Sequence, residues 1–307
     1  MRMTVALAVA CALFPAEPAR AQDMEPKAYS ASPVGANFLV ASFSSAAGDV
    51  LLDPTLPITN GHADVVGLAL GAGHTFNMFG ALGLLTVAVP VAWVDATGQV
   101  FEQNAEAKRT GLADARFKLS VNLWGNHAMT PREFAKAPRR TVLGASLTAT
   151  APTGQYDGTK LVNLGTNRWS LKPEVGVSWP VGKLDVDAYV GEWFFAANQD
   201  FYPGGLVRTQ APMLAIQGHA SYTFRPRLWI AADGTWYRGG STQVNAGTPS
   251  ISLNNSRLGL TLSLPVGARN SFKIGYSGGV TVRTGTNFSQ VAVAWQVLWL
   301  SPRWSGR

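Results

Sequence analysis

The chain reads as all-β: a transmembrane, antiparallel, up-and-down barrel of about twelve strands, with ten or fourteen as the alternatives. Three observations predict it. Apolar and polar residues alternate with a period of two through many long segments, ionic residues sit in mid-strand on the polar face, and aromatic residues gather near the segment ends. Composition agrees. Of 307 residues 47% are hydrophobic and only 14% charged, with 32 Gly and 10 Trp, while an ordinary soluble domain is about 25% charged. Mean hydropathy is +0.08. Such a chain can bury enough apolar surface to avoid disorder. Its formal charge of +7 is spread over few ionic residues and lacks the dense basic stripe of a nucleic-acid binder, so no nucleic-acid partner is expected. A single cysteine excludes a disulfide framework and multi-cysteine metal sites.

From the N-terminus, residues 1–21 have the form of a secretory signal peptide. Arg2 supplies the positive charge, Val5 to Phe14 the apolar core, and Ala19-Arg20-Ala21 the small-x-small cleavage site. Cys11 falls within the part to be removed. Residues 22–35 are expected as a periplasmic segment, 36–300 as the barrel and 301–307 as a tail.

Strand parity then assigns the faces. Between Leu112 and Trp124, Ala113, Ala115, Phe117, Leu119, Val121 and Leu123 oppose Asp114, Arg116, Lys118, Ser120 and Asn122. Trp169 to Trp179 opposes an apolar row to Lys172 and Glu174, and Leu184, Val186 and Val190 oppose Asp185 and Asp187. Leu214 to Phe224 carries Gln217 and His219 on its polar face; later segments place Asp233, Arg257, Lys273 and Arg283 likewise. The inward, pore-lining candidates are therefore Asp114, Arg116, Lys118, Lys172, Glu174, Asp185, Asp187, Gln217, His219, Asp233, Arg257, Lys273 and Arg283. Mixed signs allow ladders of ion pairs that seal the lumen, or a polar path through it. The aromatic residues near strand ends, from Trp93, Trp124, Trp169 and Trp179 through Trp193, Trp229 and Tyr237 to Trp299, are assigned to interfacial girdles.

Connections alternate as a barrel requires. Short turns are expected at Phe76–Phe79, Pro180–Lys183, Arg225–Arg227 and Pro265–Asn270. Long loops are expected at Ser44–Gly61, Asp95–Arg109, Pro152–Asn167, Ala196–Thr209 and Arg238–Asn254. Gly125–Arg140 departs from the rule as a long basic connection at a periplasmic position, with a short helix from Pro131. The stretch Met78–Val94 is uncharged and at the lower length limit for a membrane helix, but Gly80, Gly83 and Pro90 oppose that reading.

Chemistry leaves a weak signal. His219 and Ser221 share a face, yet neighbours two apart on a strand are about 7 Å apart and no orienting acid is fixed by the sequence. Asp185 and Asp187 read as lumen residues rather than a catalytic dyad, and Asp157 and Asp200 are loop acids. No HExxH, phosphate-loop or EF-hand spacing occurs, so neither enzyme chemistry nor cofactor nor metal is expected.

Several motifs in one order carry a family likeness: Pro152-Thr153-Gly154-Gln155-Tyr156, Asn163-Leu164-Gly165-Thr166-Asn167-Arg168-Trp169, Lys172-Pro173-Glu174-Val175-Gly176, Tyr222 to Trp229, Trp236-Tyr237-Arg238-Gly239-Gly240 and Asn255-Ser256-Arg257-Leu258-Gly259. Through nearly the whole chain after the leader, the sequence resembles the outer-membrane transporter family of the MetA-pathway of phenol degradation. The resemblance implies a Gram-negative outer-membrane barrel that passes small hydrophobic or aromatic compounds. Its partners would be outer-membrane lipid, the barrel-assembly machinery and the cargo. A structural, adhesive or signalling barrel is the alternative, and an outer-membrane hydrolase the third. Barrels of this kind usually finish on an aromatic residue, whereas Leu300 ends the last strand here and Ser301–Arg307 follow, so assembly is expected either to use Trp299 or to tolerate the tail.

Cleavage after Ala21 is expected to leave Gln22 as the N-terminus of the exported chain; its intact mass checks this, and retention of residues 1–21 would overturn it.

Overall fold

The structure is a computed structural model describing residues 24–51, 58–100, 103–283 and 285–301. The expected leader and most of the expected tail lie outside the described residues. In chain order the elements are β1 (Ala36–Leu51), β2 (Ile58–Met78), β3 (Ala81–Val100), β4 (Gln103–Leu112), β5 (Arg116–Trp124), α1 (Pro131–Phe134), β6 (Val142–Thr150), β7 (Ser170–Val181), β8 (Leu184–Phe195), β9 (Asn198–Phe201), β10 (Leu206–Gln210), β11 (Met213–Arg225), β12 (Leu228–Gly239), β13 (Thr242–Val244), β14 (Leu253–Val266), β15 (Asn270–Thr281) and β16 (Gly285–Leu300).

Antiparallel neighbours close the sheet on itself. The order β2-β1-β16-β15-β14-β12-β11-β8-β7-β6-β5-β3 returns to its start through the β2–β3 pairing. Both β4 and β5 pair with β3, along Val91–Val100 and Gly83–Ala88 respectively, so they are two halves of one wall position and the barrel has twelve. Closure is what a membrane demands, since lipid offers no partner to an open edge. The first and last strands pair from Ala36↔Leu300 to Leu51↔Gly285. Strands β9, β10 and β13 form a separate small sheet in the loops at the far end.

Parity decides which face meets lipid. Leu258, Leu123, Trp179, Val190 and Trp295 are exposed on the outside, while their alternates Arg257, Asn122, Ser178 and Tyr189 are buried inside. Three aromatics expected in the girdles do not lie there. Trp193, Trp229 and Tyr237 are buried, because they share the parity of Asp187 and Asp233 and so point into the barrel. The segment Met78–Val94 forms the end of β2, the turn at Phe79 and Gly80 and most of β3, not a helix. That turn needs positive φ at both residues, 53° and 91°, and puts Phe79 fully in solvent.

Two expected long loops are strand instead. β1, β2 and β3 run 16, 21 and 20 residues, about twice the 9–11 that a tilted bilayer crossing uses. They project past the membrane, carrying much of Ser44–Gly61 and Asp95–Arg109 as ribbon. Beyond the hydrocarbon both faces are wet, so the apolar row that marks a strand is lost: His62 sits between Asp49 (3.2 Å) and Asp64 (3.5 Å), and Lys108 pairs with Asp95 at 3.2 Å.

At the short-turn end the Gly125–Arg140 connection folds under the barrel. α1 has a capping box: Thr130 N–H donates to Glu133 Oε2 (2.7 Å) and Glu133 N–H donates to Thr130 Oγ1 (3.3 Å). The Thr130 backbone and hydroxyl together hold the Glu133 carboxyl below its usual range.

A charge on the lipid face should be costly only at membrane depth. Val190→Arg is expected to lower unfolding free energy in lipid vesicles by about 2–4 kcal/mol, whereas Gln199→Arg, exposed in the loop sheet, should stay within about 0.5 kcal/mol of wild type in the same urea titration.

Candidate functional site

The lumen is the candidate site, and its main occupant is the chain itself. Residues 24–35, expected in the periplasm, lie inside the barrel as a strap. Its exit is fixed at the short-turn end: Gly35 N–H donates to Thr75 O (2.8 Å), Thr75 Oγ1 donates to Pro33 O (2.7 Å), and Val34 N–H donates to Met129 O (2.8 Å) in the basic connection. The strap forms no strand. Its backbone donors find lumen side chains instead: Lys27 N–H donates to Asp187 Oδ2 (3.1 Å) and Ala28 N–H to the Tyr189 hydroxyl (3.1 Å). Asn122 Nδ2 donates to Tyr29 O at 3.3 Å.

Tyr29 is the anchor. It is 1% exposed, its ring meeting Tyr189 edge-on at 5.1 Å. Its hydroxyl donates to Glu174 Oε1 at 3.1 Å, with Ser146 Oγ also at 3.1 Å. Register partners Gly144 and Gly176 make the slot: a Cβ on either would stand 2.2 or 2.5 Å from that ring. Two ion pairs hold the strap's leading end, Glu25 with Lys118 and Lys27 with Asp185. Asp185 is shared, for Arg139 of the basic connection also pairs with it and donates to Gly182 O at 2.7 Å. The basic connection thus lies against the strap at the short-turn mouth of the barrel.

Behind the strap the wall charges satisfy one another. Lys172 Nζ donates to Glu174 Oε2 (2.9 Å) and lies 5.4 Å from the Trp193 ring centroid. Gln217 Nε2 donates to the same Glu174 oxygen at 3.2 Å. His219 Nδ1 is 2.7 Å from Asp233 Oδ1, and Thr261 Oγ1 donates to Asp233 Oδ2 at 2.6 Å. Asp233 therefore orients the His219 ring, a partnership across strands that no motif reveals, while Ser221 on the same face as His219 is wholly buried. Arg257 Nη2 donates to Ser277 Oγ at 3.1 Å.

From the opposite mouth the loop between β6 and β7 folds inward, Leu164 packing on Val65, Ala92 and Val94. Two further apolar patches line the interior: Trp193, Met213, Ala215 and Tyr237, and Ala46, Ala63 and Phe288.

The inward candidates divide accordingly. Lys118, Lys172, Glu174, Asp185, Asp187, Gln217, His219, Asp233 and Arg257 are buried inside the barrel. Arg116 borders a lumen cavity, and Lys273 stands 5.8 Å from the Trp229 ring centroid with Lys27 at the same distance. Two lie outside the strands. Asp114 falls in the gap between β4 and β5, where strand alternation stops. Its carboxylate accepts from Gly154 N–H (2.9 Å), Thr166 N–H (2.8 Å) and Thr166 Oγ1 (2.6 Å), stapling the inward loop. Arg283 lies past the end of β15, exposed in a far-end turn, its N–H donating to Asn255 Oδ1. Asp157 serves its own loop, its carboxyl held down by the Thr159 hydroxyl and N–H. Sequence reasoning missed Glu25, Lys27 and Tyr29, which carry no periodic signal. Tyr189 was legible, since it shares the parity of Asp187.

A known family and one solved channel share this architecture. The profile of a family described as "Putative MetA-pathway of phenol degradation" matches residues 42–297. An outer membrane channel from Pseudomonas putida F1 is 18% identical, with a TM-score of 0.77 covering 90% of this chain and 100% of that one. The transport unit of the autotransporter AIDA-I from Escherichia coli is 9% identical at TM-score 0.48, covering 90% and 93%. A Pseudomonas aeruginosa FadL homologue is 9% identical at 0.41, covering 86% and 90%. No curated protein sequence matches significantly.

The only cysteine lies at position 11, so Ala28→Cys in a variant that starts at residue 22 places a single reporter thiol on the strap. Removing the shared carboxylate with Asp185→Asn costs the closed strap on the order of 1–3 kcal/mol, so thiol labelling at position 28 is expected to quicken about ten- to a hundredfold. An unchanged rate would show that this clamp does not hold the strap.

Proposed function

The chain belongs to the family of the MetA-pathway of phenol degradation, and on that premise we propose that it is an outer-membrane channel for small hydrophobic or aromatic compounds. The observation that carries this reading is the lumen's construction. Apolar patches around Trp193 and Leu164 flank a belt of paired charges, and the strap blocking it contributes no strand to the wall. A strap held by side chains can leave without breaking a single rung of the barrel, whereas a wall strand cannot.

The inward residues then act in two roles. Lys172 with Glu174 and His219 with Asp233 pair within the wall, and Gln217 and Arg257 add hydrogen bonds to Glu174 and Ser277, which lowers the charge an apolar cargo meets. Lys118, Asp185 and Asp187 hold the strap through Glu25 and Lys27. The short-turn end faces the periplasm of a Gram-negative cell, the leader carries the chain through export, and the barrel-assembly machinery inserts it. Catalysis has no part in this reading.

Two measurements test it. In planar bilayers the full chain should conduct poorly, and a variant lacking residues 24–31 should conduct severalfold more. A strain without the protein should take up a limiting labelled aromatic compound severalfold more slowly, with recovery on complementation. Equal conductance together with equal uptake would overturn the channel reading in favour of a structural barrel.

A further inference from the structure

The strap fills only one side of the lumen. Between it and the β1–β3 wall remains a cavity of about 260 Å³, just below the roughly 300–1,000 Å³ usual for small-molecule sites. Its body is apolar, formed by Phe38, Val40, Ala69 and Ala88; at the β5 border stand Arg116 and Lys118, with Glu25 of the strap beside them.

The charges at that border are divided unevenly between wall and strap. Glu174 lies 3.9 Å from Lys118, but its oxygens already accept from Lys172, Tyr29 and Gln217. The carboxylate paired closely with Lys118 is that of Glu25. Withdrawing the strap takes the Glu25 carboxylate away from Lys118, while the more distant Glu174 stays in the wall. The cavity then presents an apolar pocket of single-ring size bordered by an ammonium group whose close carboxylate was the strap's.

We propose that this cavity binds a small aromatic monocarboxylate, its ring against Phe38, Val40, Ala69 and Ala88 and its carboxylate on Lys118 in place of Glu25. The strap's own carboxylate is an internal competitor for the cargo, and occupancy of the site frees the strap's leading end. This deepens the channel reading, on which it rests, by naming the cargo class.

The test uses the full chain in detergent with benzoate and its neutral isostere benzamide, by titration calorimetry at pH 7. Benzoate is expected to bind about tenfold or more tightly than benzamide. Glu25→Gln, a change on the half-exposed strap that leaves the wall intact, should tighten benzoate by about tenfold and leave benzamide unchanged. Lys118→Met should bring benzoate down to the level of benzamide, and saturating benzoate should speed thiol labelling of Ala28→Cys. Equal binding of the two probes, or benzoate affinity indifferent to Glu25→Gln, would overturn the site. Binding is read without flux, so the two readings fail separately. A protein that conducts without its strap but ignores benzoate loses this site and keeps the channel; one that binds benzoate as expected while showing neither conductance nor uptake keeps the site and loses the channel.

Discussion

Every feature of this molecule follows from the need to pair backbone groups in a solvent that cannot pair them. Hydrocarbon leaves an unsatisfied amide several kcal/mol worse off than water does, so the sheet must close, and here β16 returns to β1 along its full length. Closure splits every strand into two environments. The outer row must be apolar. The inner row is released from that requirement but acquires another, because a charge in a narrow lumen is far from bulk water and needs a partner of its own. Lys172 with Glu174 and His219 with Asp233 meet that need within the wall. Lys118, Asp185 and Asp187 meet it in part through groups brought by the strap.

Wall and strap therefore differ in kind. A strand in the wall is held by its ladder on both sides, and removing it opens an edge to lipid. The strap is held by side-chain hydrogen bonds, each worth about 0.5–1.5 kcal/mol net, by ion pairs, and by the burial of one tyrosine ring in a slot that Gly144 and Gly176 leave vacant. Loss of its contacts breaks no rung of the barrel. The basic Gly125–Arg140 connection has a physical role in the same scheme. Arg139 adds a second cation to Asp185, and Met129 supplies a backbone acceptor to Val34, so the strap's exit and its clamp depend on one connection.

Parity made most of the wall legible. Alternation is a property of a strand with two unlike faces, so it found Lys118, Glu174, Asp187, His219 and Arg257 without any knowledge of their partners. It failed wherever the faces cease to differ or the strand ceases to exist. Asp114 sits in the break between β4 and β5 and Arg283 beyond the end of β15, so the parity of neighbouring residues no longer says where they point. The ribbons beyond the membrane have two wet faces and read as loops. Trp193, Trp229 and Tyr237 were misread because residue type was weighed above parity: a tryptophan near a strand end suits a headgroup, but these share a row with lumen acids. The strap was illegible for a deeper reason. Its twelve described residues pair with side chains on strands 42 to 196 positions away, and nothing local in a sequence records such a partner.

The open part of the lumen is the complement of the strap. Small inward residues occur on both sides of the barrel, Gly144 and Gly176 on β6 and β7, Ala69, Gly71 and Ala88 on β2 and β3. On the first side Tyr29 fills the room they leave; on the second no described residue does, and the cavity is what remains. Its charged border is set by the same path, since Glu25 reaches Lys118 only because Tyr29 and Lys27 fix the strap against the opposite wall. Shape and electrostatics of the cavity are thus both functions of strap position. A ligand that changes the pairing of Lys118 must alter the strap's equilibrium, and a change that moves the strap must alter the ligand's affinity, by the same free energy in each direction.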